Sequence, residues 1–154
     1  MPKTIPQRIV FTVIMAFVMV YAMICYNISI NIGGMSNQVF LLAFKELIIM
    51  LPVAFILEFF IIEKAVQKVA FNIVSPNDKP LFIVLTISAI TVCFMCPIMS
   101  LVATLLFKNA GIEFFAVWVQ TTIKNFPMAL MWQIFFAGPV VRAIFGSIFK
   151  KANN

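Results

Sequence analysis

Residues 91–100 read TVCFMCPIMS and place four sulfur-bearing side chains, Cys93, Met95, Cys96 and Met99, within about two helical turns. Thiols and thioethers are soft ligands that select Cu(I). Two cysteines three residues apart also meet the Cα separation of a disulfide, about 4.4–6.8 Å. Upstream, Met15, Met19 and Met23 recur at i, i+4 and i+8 and so share one helix face. A plainer reading competes with both chemistries. Pro97 removes the backbone bond to the Cys93 carbonyl and bends a helix, and methionine fills the gaps such a bend leaves. No cation neighbours the cysteines to stabilise a thiolate, and the chain has no histidine. Packing at a bend is therefore the preferred reading, with no metal and no cofactor implied.

The elements that carry these residues follow from composition. Of 154 residues, 64% are apolar and 10% charged, where soluble domains carry about 25% charged residues. Mean hydropathy is +1.11. A chain this short cannot hide so much apolar surface from water, so its solvent and first partner is the lipid bilayer. Four stretches, 9–32, 39–62, 81–107 and 114–138, reach the roughly 20 residues that cross a hydrocarbon core. The first is too long for a signal-peptide core and is read as a retained span. Lys3, Arg8, Lys64, Lys68, Lys79, Arg142, Lys150 and Lys151 gather at one set of span ends, whereas the opposite loops offer only Lys108, beside Glu113. The positive-inside rule then predicts both termini cytoplasmic. The net charge of +6 thus reflects topology and gives no reason to expect nucleic acid.

Charged and polar groups inside spans are costly and face the bundle interior or water. Lys45 and Glu46 lie about 10 Å below the outer boundary, and Gln120, Thr121, Lys124 and Asn125 form a band reaching about 15–17 Å deep. These depths predict a Lys124–Glu46 ion pair with Asn125 and Gln120 as hydrogen-bond partners. Lys45 is expected to snorkel outward. Glu58 and Gln133, near the inner boundary, make a secondary polar site. The band either binds a small polar or charged solute or fixes helix pairing.

The halves of the chain repeat. A shift of 75 residues lays 51–73 over 126–148 without a gap, pairing Pro52 with Pro127, Ala54 with Ala129 and Glu58 with Gln133. A shift of 76 pairs Met19 with Met95 and Met23 with Met99. The predicted fold is all-α: four transmembrane helices as two hairpins repeated in parallel, residues 1–75 and 81–154, joined by the linker 76–80. The basic tails 63–74 and 139–151 each have one apolar face. They either lie on anionic lipid or end the spans as ordinary helix termini.

Met99-Ser100, Trp118, Phe126-Pro127 and Gly138-Pro139-Val140-Val141-Arg142 give the second half its character. In these features it resembles the bacterial membrane family known as domain of unknown function 2798. The first half looks like a diverged copy that keeps Pro52 and has Glu63-Lys64 where the second has Gly138-Pro139. The resemblance implies a four-helix bacterial inner-membrane protein and brings no activity, cofactor or site residue with it.

Enzyme chemistry is not expected, since the chain has no histidine and no Gly-rich phosphate loop. The preferred reading is an accessory or structural membrane component acting through helix contacts. The alternative is a small transporter or channel for a polar or charged solute, for which a homo-oligomer, a dimer, would enlarge the path. A scaffold needs the polar band dry and satisfied; a transporter needs it wet.

Overall fold

A computed structural model describes residues 4–150, with no strand among them. Lys3 and Lys151, two of the topology-setting cations, lie outside the described residues, as does the side chain of Lys150. Helix α1 (Ile5–Ile32) ends at Gly33, whose φ of 89° is open to glycine. The N–H groups of Gly33 and Gly34 both close on the Ser29 carbonyl. Four residues later α2 (Asn37–Leu57) runs back against α1. It passes through a π-helical turn, Glu58–Ile62, into α3 (Glu63–Ile73). The second half repeats the plan. Helix α4 (Pro80–Phe107) packs on α5 (Phe114–Trp132), which passes through the π-helical turn Gln133–Ala137 into α6 (Gly138–Lys150).

Four continuous helical stretches are long and apolar enough to cross a membrane: Ile5–Ile32, Asn37–Ile73, Pro80–Phe107 and Gly111–Phe149. The two returning stretches run on beyond the predicted span ends. One side of each tail packs inside the bundle, α3 against α4 and α6 against α1. Val66, Ala70, Val141 and Phe145 are buried there. Other apolar residues of the same tails, Phe71, Ile73, Ile144 and Ile148, stay exposed.

Burial follows the repeat residue by residue. Thr12, Ala16, Val20, Ile24 and Ile28 form the buried stripe of α1, and Ser88, Val92, Cys96, Ser100 and Thr104 form that of α4. Each pair is separated by 76 residues. In the returning helices Met50, Ala54, Ile62, Val66 and Ala70 are matched at a 75-residue offset by Asn125, Ala129, Ala137, Val141 and Phe145, all buried. A spacing of four keeps each stripe on one face, and its small residues let helices approach closely. Helix α4 stays continuous through Pro97, whose carbonyl accepts a bond from Trp118 Nε1 at 2.9 Å.

Candidate functional site

The two π-helical turns occupy equivalent positions in the repeat and are built alike. The N–H groups of Glu58 and Gln133 point to the carbonyls of Ala54 and Phe55, and of Ala129 and Leu130. The N–H groups of Glu63 and Gly138 close the turns on the Glu58 and Gln133 carbonyls, five residues back. Such turns rotate a helix's faces and occur often at functional sites. Here each marks a change of partner. Before its turn a returning helix packs chiefly on its own outgoing helix, although α5 also touches α1; after it, on the outgoing helix of the other half. Both turns touch both α1 and α4.

This exchange opens two cavities end to end between the halves. The first, of about 160 Å³, runs from Asn31 and Lys108 at the loop end down to the π turns. The second, of about 650 Å³, continues past Ser88 to Arg8, Glu63 and Arg142 at the end where α1 begins. Glu58, Gln133, Met15 and Thr91 line both, so these four residues form the junction. Glu58 is half-buried and Gln133 buried. Among the described residues neither side chain has a hydrogen-bond partner or counter-ion.

Below the junction the two copies differ. Glu63 Oε1 accepts from Arg8 Nη2 at 2.6 Å and from Gln67 Nε2 at 3.4 Å, while its buried Oε2 has no partner. The Arg8 guanidinium also stands 5.8 Å from the centre of the Phe59 ring. In the second copy Arg142 takes the place of Gln67 and donates through Nε to the Gly138 carbonyl at 2.9 Å. A Cβ on Gly138 would fall 2.7 Å from Arg142 Nη2, so glycine makes room for the folded-back guanidinium.

The residues expected to form the polar band separate into two groups. Asn125 is buried in the wall of the first cavity; its Nδ2 donates to Ser100 Oγ at 3.4 Å and its Oδ1 has no partner. Thr121 is buried and donates to the Val117 carbonyl at 2.7 Å. Glu46 is half-buried and lines the same cavity. Gln120 and Lys124 are exposed on the outside of the bundle.

The expected Lys124–Glu46 pair does not form; among the described residues the ion pair is Arg8–Glu63. The inward stripe of α5 runs through Thr121, Asn125 and Ala129. Lys124 lies one residue off it, a rotation of about 100°. Depth compares levels between the halves but does not fix the angle around the helix. Cys93 is exposed and Cys96 buried, so the two thiols do not face one another.

The cation that does reach the cavity is Lys108, read from sequence as a loop residue beside Glu113. Its Nζ donates to Thr121 Oγ1 at 2.8 Å. Burial, and then the nearby charge of Lys124, push its ammonium below the ordinary lysine value. The available signal was its position one residue past the end of a span, where a long stem can run along the helices.

Comparison with known proteins places these features in a family. The sequence model described as domain of unknown function 2798 matches residues 3–74 and again 80–149, as two tandem copies. The uncharacterized protein YybC of Bacillus subtilis (strain 168) is 28% identical over 149 residues, covering 94% of this chain and 92% of that one. No solved structure matches.

Proposed function

The chain belongs to the family described as domain of unknown function 2798, and with no activity to take from that description we propose a reading from its own geometry. The protein is a small multi-pass transporter of the bacterial cytoplasmic membrane. It passes a small polar or charged solute between the two cavities, by way of the Glu58–Gln133 junction. Both termini are cytoplasmic, which puts the first cavity on the outer side and the second on the inner. Among the described residues, Arg8, Lys64, Lys68, Lys79 and Arg142 supply the inner positive charge that supports this orientation. The path lies within one chain and calls on no second copy, and the reading includes no covalent step.

One observation carries the reading: the inward polar atoms are left unsatisfied by the protein itself. Asn125 Oδ1 has no partner, Gln133 is 5% exposed and makes no side-chain bond, and Glu58 has no cation. A buried polar group without a partner costs about 1–3 kcal/mol, and a charged one more. Water or a solute relieves that cost, and a first cavity of about 160 Å³ has room for several waters. A scaffold whose only task is helix contact gains nothing from leaving these groups unpaired. The cytoplasmic-side cations fit the same picture, since Arg8 and Arg142 flank the inner mouth.

Labelling from each side of the membrane tests the reading. In a chain with Cys25, Cys93 and Cys96 replaced by alanine, Ser100→Cys reports on the first cavity and Ser88→Cys on the second. A membrane-impermeant, negatively charged methanethiosulfonate should modify Ser100→Cys in right-side-out vesicles and Ser88→Cys in inverted ones. Protection of both sites from either side would mean that the cavities are dry, and the accessory role would then be the better reading.

A further inference from the structure

We propose that the first cavity binds a soft monovalent cation, Cu(I) or its redox-inert analogue Ag(I), through methionine thioethers contributed by α1 and α4. The proposal rests on the transporter reading and names the class of solute. Six of the ten methionines line this one cavity: Met15, Met19, Met23, Met50, Met95 and Met99. They make up a quarter of its wall in a chain where methionine is about one residue in fifteen, so chance spread of an apolar residue type does not place them.

Their arrangement says more than their number. Met19 and Met23 on α1, and Met95 and Met99 on α4, are i, i+4 pairs in equivalent positions of the two copies. Each pair lies across the seam on the other helix's territory. Met19 and Met23 pack against Val92, Cys96 and Ala129. Met95 and Met99 pack against the cluster that includes Val20 and Ile24. The two pairs thus converge from opposite walls. Filling the gap at a proline accounts for methionine near Pro97, but α1 has no proline past its first turn, and its methionines take the same positions.

The ligand chemistry selects the ion. Neutral thioethers bind Cu(I) and Ag(I) and discriminate against hard cations. Among the described residues no group of three or more His, Cys, Asp or Glu side chains could hold a metal, so a zinc-type site is absent from that part of the chain. Charge agrees with a monovalent guest: two carboxylates, Glu46 and Glu58, and one ammonium, Lys108, line the cavity. Cys96 shares the lining, but the proposed ligands are the thioethers. The Cys96 S–H donates to the Thr122 carbonyl at 3.9 Å, and Cys93 is exposed away from the lining.

Equilibrium dialysis of the full-length chain in detergent against silver nitrate, in chloride-free buffer, tests this directly once Cys25, Cys93 and Cys96 are replaced by alanine, because free thiols bind Ag(I) more tightly than thioethers. The expected result is saturable binding of one Ag(I) per chain. Met19→Leu with Met95→Leu should weaken it at least tenfold, and so should Met23→Leu with Met99→Leu. Leucine conserves volume, so an unchanged Tm certifies that each double variant is folded. Met128→Leu with Met131→Leu, outside the cavity, should keep full binding. Absence of saturable binding in the cysteine-free chain overturns the proposal. So does silver retained by both methionine double variants. If Ser100→Cys is reached by the impermeant reagent and silver is not bound, the soft cation falls and the transporter stands. If silver binds and the reagent never reaches the cavity, the site stands without a path.

Discussion

The π turns at Glu58–Ile62 and Gln133–Ala137 share one backbone and carry different chemistry. Hydrogen bonding, the change of packing partner and the inward burial of Val66 and Val141 are common to both. The side chains at the junction are not: one copy presents a carboxylate, the other the amide of similar shape. Below it, one copy neutralises Glu63 with Arg8 while the other turns Arg142 onto a glycine carbonyl. What is symmetric holds the bundle together, and what is asymmetric places one carboxylate, not two, at the junction shared by the two cavities. A duplicated hairpin needs the first property; the proposed transport reading draws on the second.

Doubling that charge is the most severe way to break the comparison. Gln133→Glu adds a second unpaired carboxylate at the junction, at a cost of about 3 kcal/mol for a charge placed deep in a span. The detergent Tm should fall by roughly 10 °C. Glu58→Gln alone should leave Tm unchanged or higher. If the two turns are equivalent, the exchange variant Glu58→Gln/Gln133→Glu returns to near the wild-type Tm. A double variant as unstable as Gln133→Glu would show that only the first copy can hold the charge.

Why the sequence revealed the repeat and the spans but not the pairing can be seen in α5. Depth along a helix is a count of residues, and it groups Gln120, Thr121, Lys124 and Asn125 within about two turns of α5. Which of them turn inward depends on the neighbours. Gln120 and Lys124 are more polar than the buried stripe Thr121–Asn125–Ala129, so the expectation that the most polar groups face the interior points to the wrong side of the helix. The π turns were equally silent, since EFFII and QIFFA are ordinary apolar helix sequence. Their shared feature is tertiary: each lets a returning helix leave one partner for another. Lys108 escaped for a related reason, because its stem, not its backbone position, brings its charge into the cavity.

A milder test concerns Gly138. Alanine there gains about 1 kcal/mol in helix propensity but meets Arg142 Nη2 at 2.7 Å and the Gln133 carbonyl oxygen at 2.8 Å. Overpacking of this kind costs about 1–3 kcal/mol, so Gly138→Ala should lower Tm by a few degrees. The first copy tolerates a side chain at this position, Glu63, with Gln67 in place of arginine. Adding Arg142→Gln to Gly138→Ala should therefore recover the loss. Failure to recover would place the strain in the π turn itself.

Smaller still is the Arg8–Glu63 bond. The side chains are 42% and 25% exposed, so solvent screening limits the pair to about 1 kcal/mol or less. A double-mutant cycle with Arg8→Ala and Glu63→Gln should return a coupling of that size. Arg8→Ala should cost more than Glu63→Gln, because it leaves a part-buried carboxylate without its cation. Equal single effects with no coupling would remove the bond from the account of how the first copy differs from the second.

Lys124 should have the smallest effect, and its sign separates the observed arrangement from the expected one. Had it been paired with Glu46, its removal would lower stability. Instead it is exposed, and its charge helps to hold the Lys108 ammonium below the ordinary value, second to burial. A lysine with a depressed folded pKa binds fewer protons folded than unfolded, so its cost is present while it is charged. That cost disappears as pH rises through the depressed value toward the ordinary 10.5. Wild-type stability should thus rise over the alkaline range approaching 10.5. Lys124→Met should raise Tm slightly near neutral pH and reduce the slope without abolishing it, because burial of Lys108 remains. Lys108→Met should abolish the Lys108 contribution to the slope. A drop in Tm for Lys124→Met at neutral pH would restore the case for a stabilising partner at that position, and Glu46 would be the first residue to test by the corresponding double mutant.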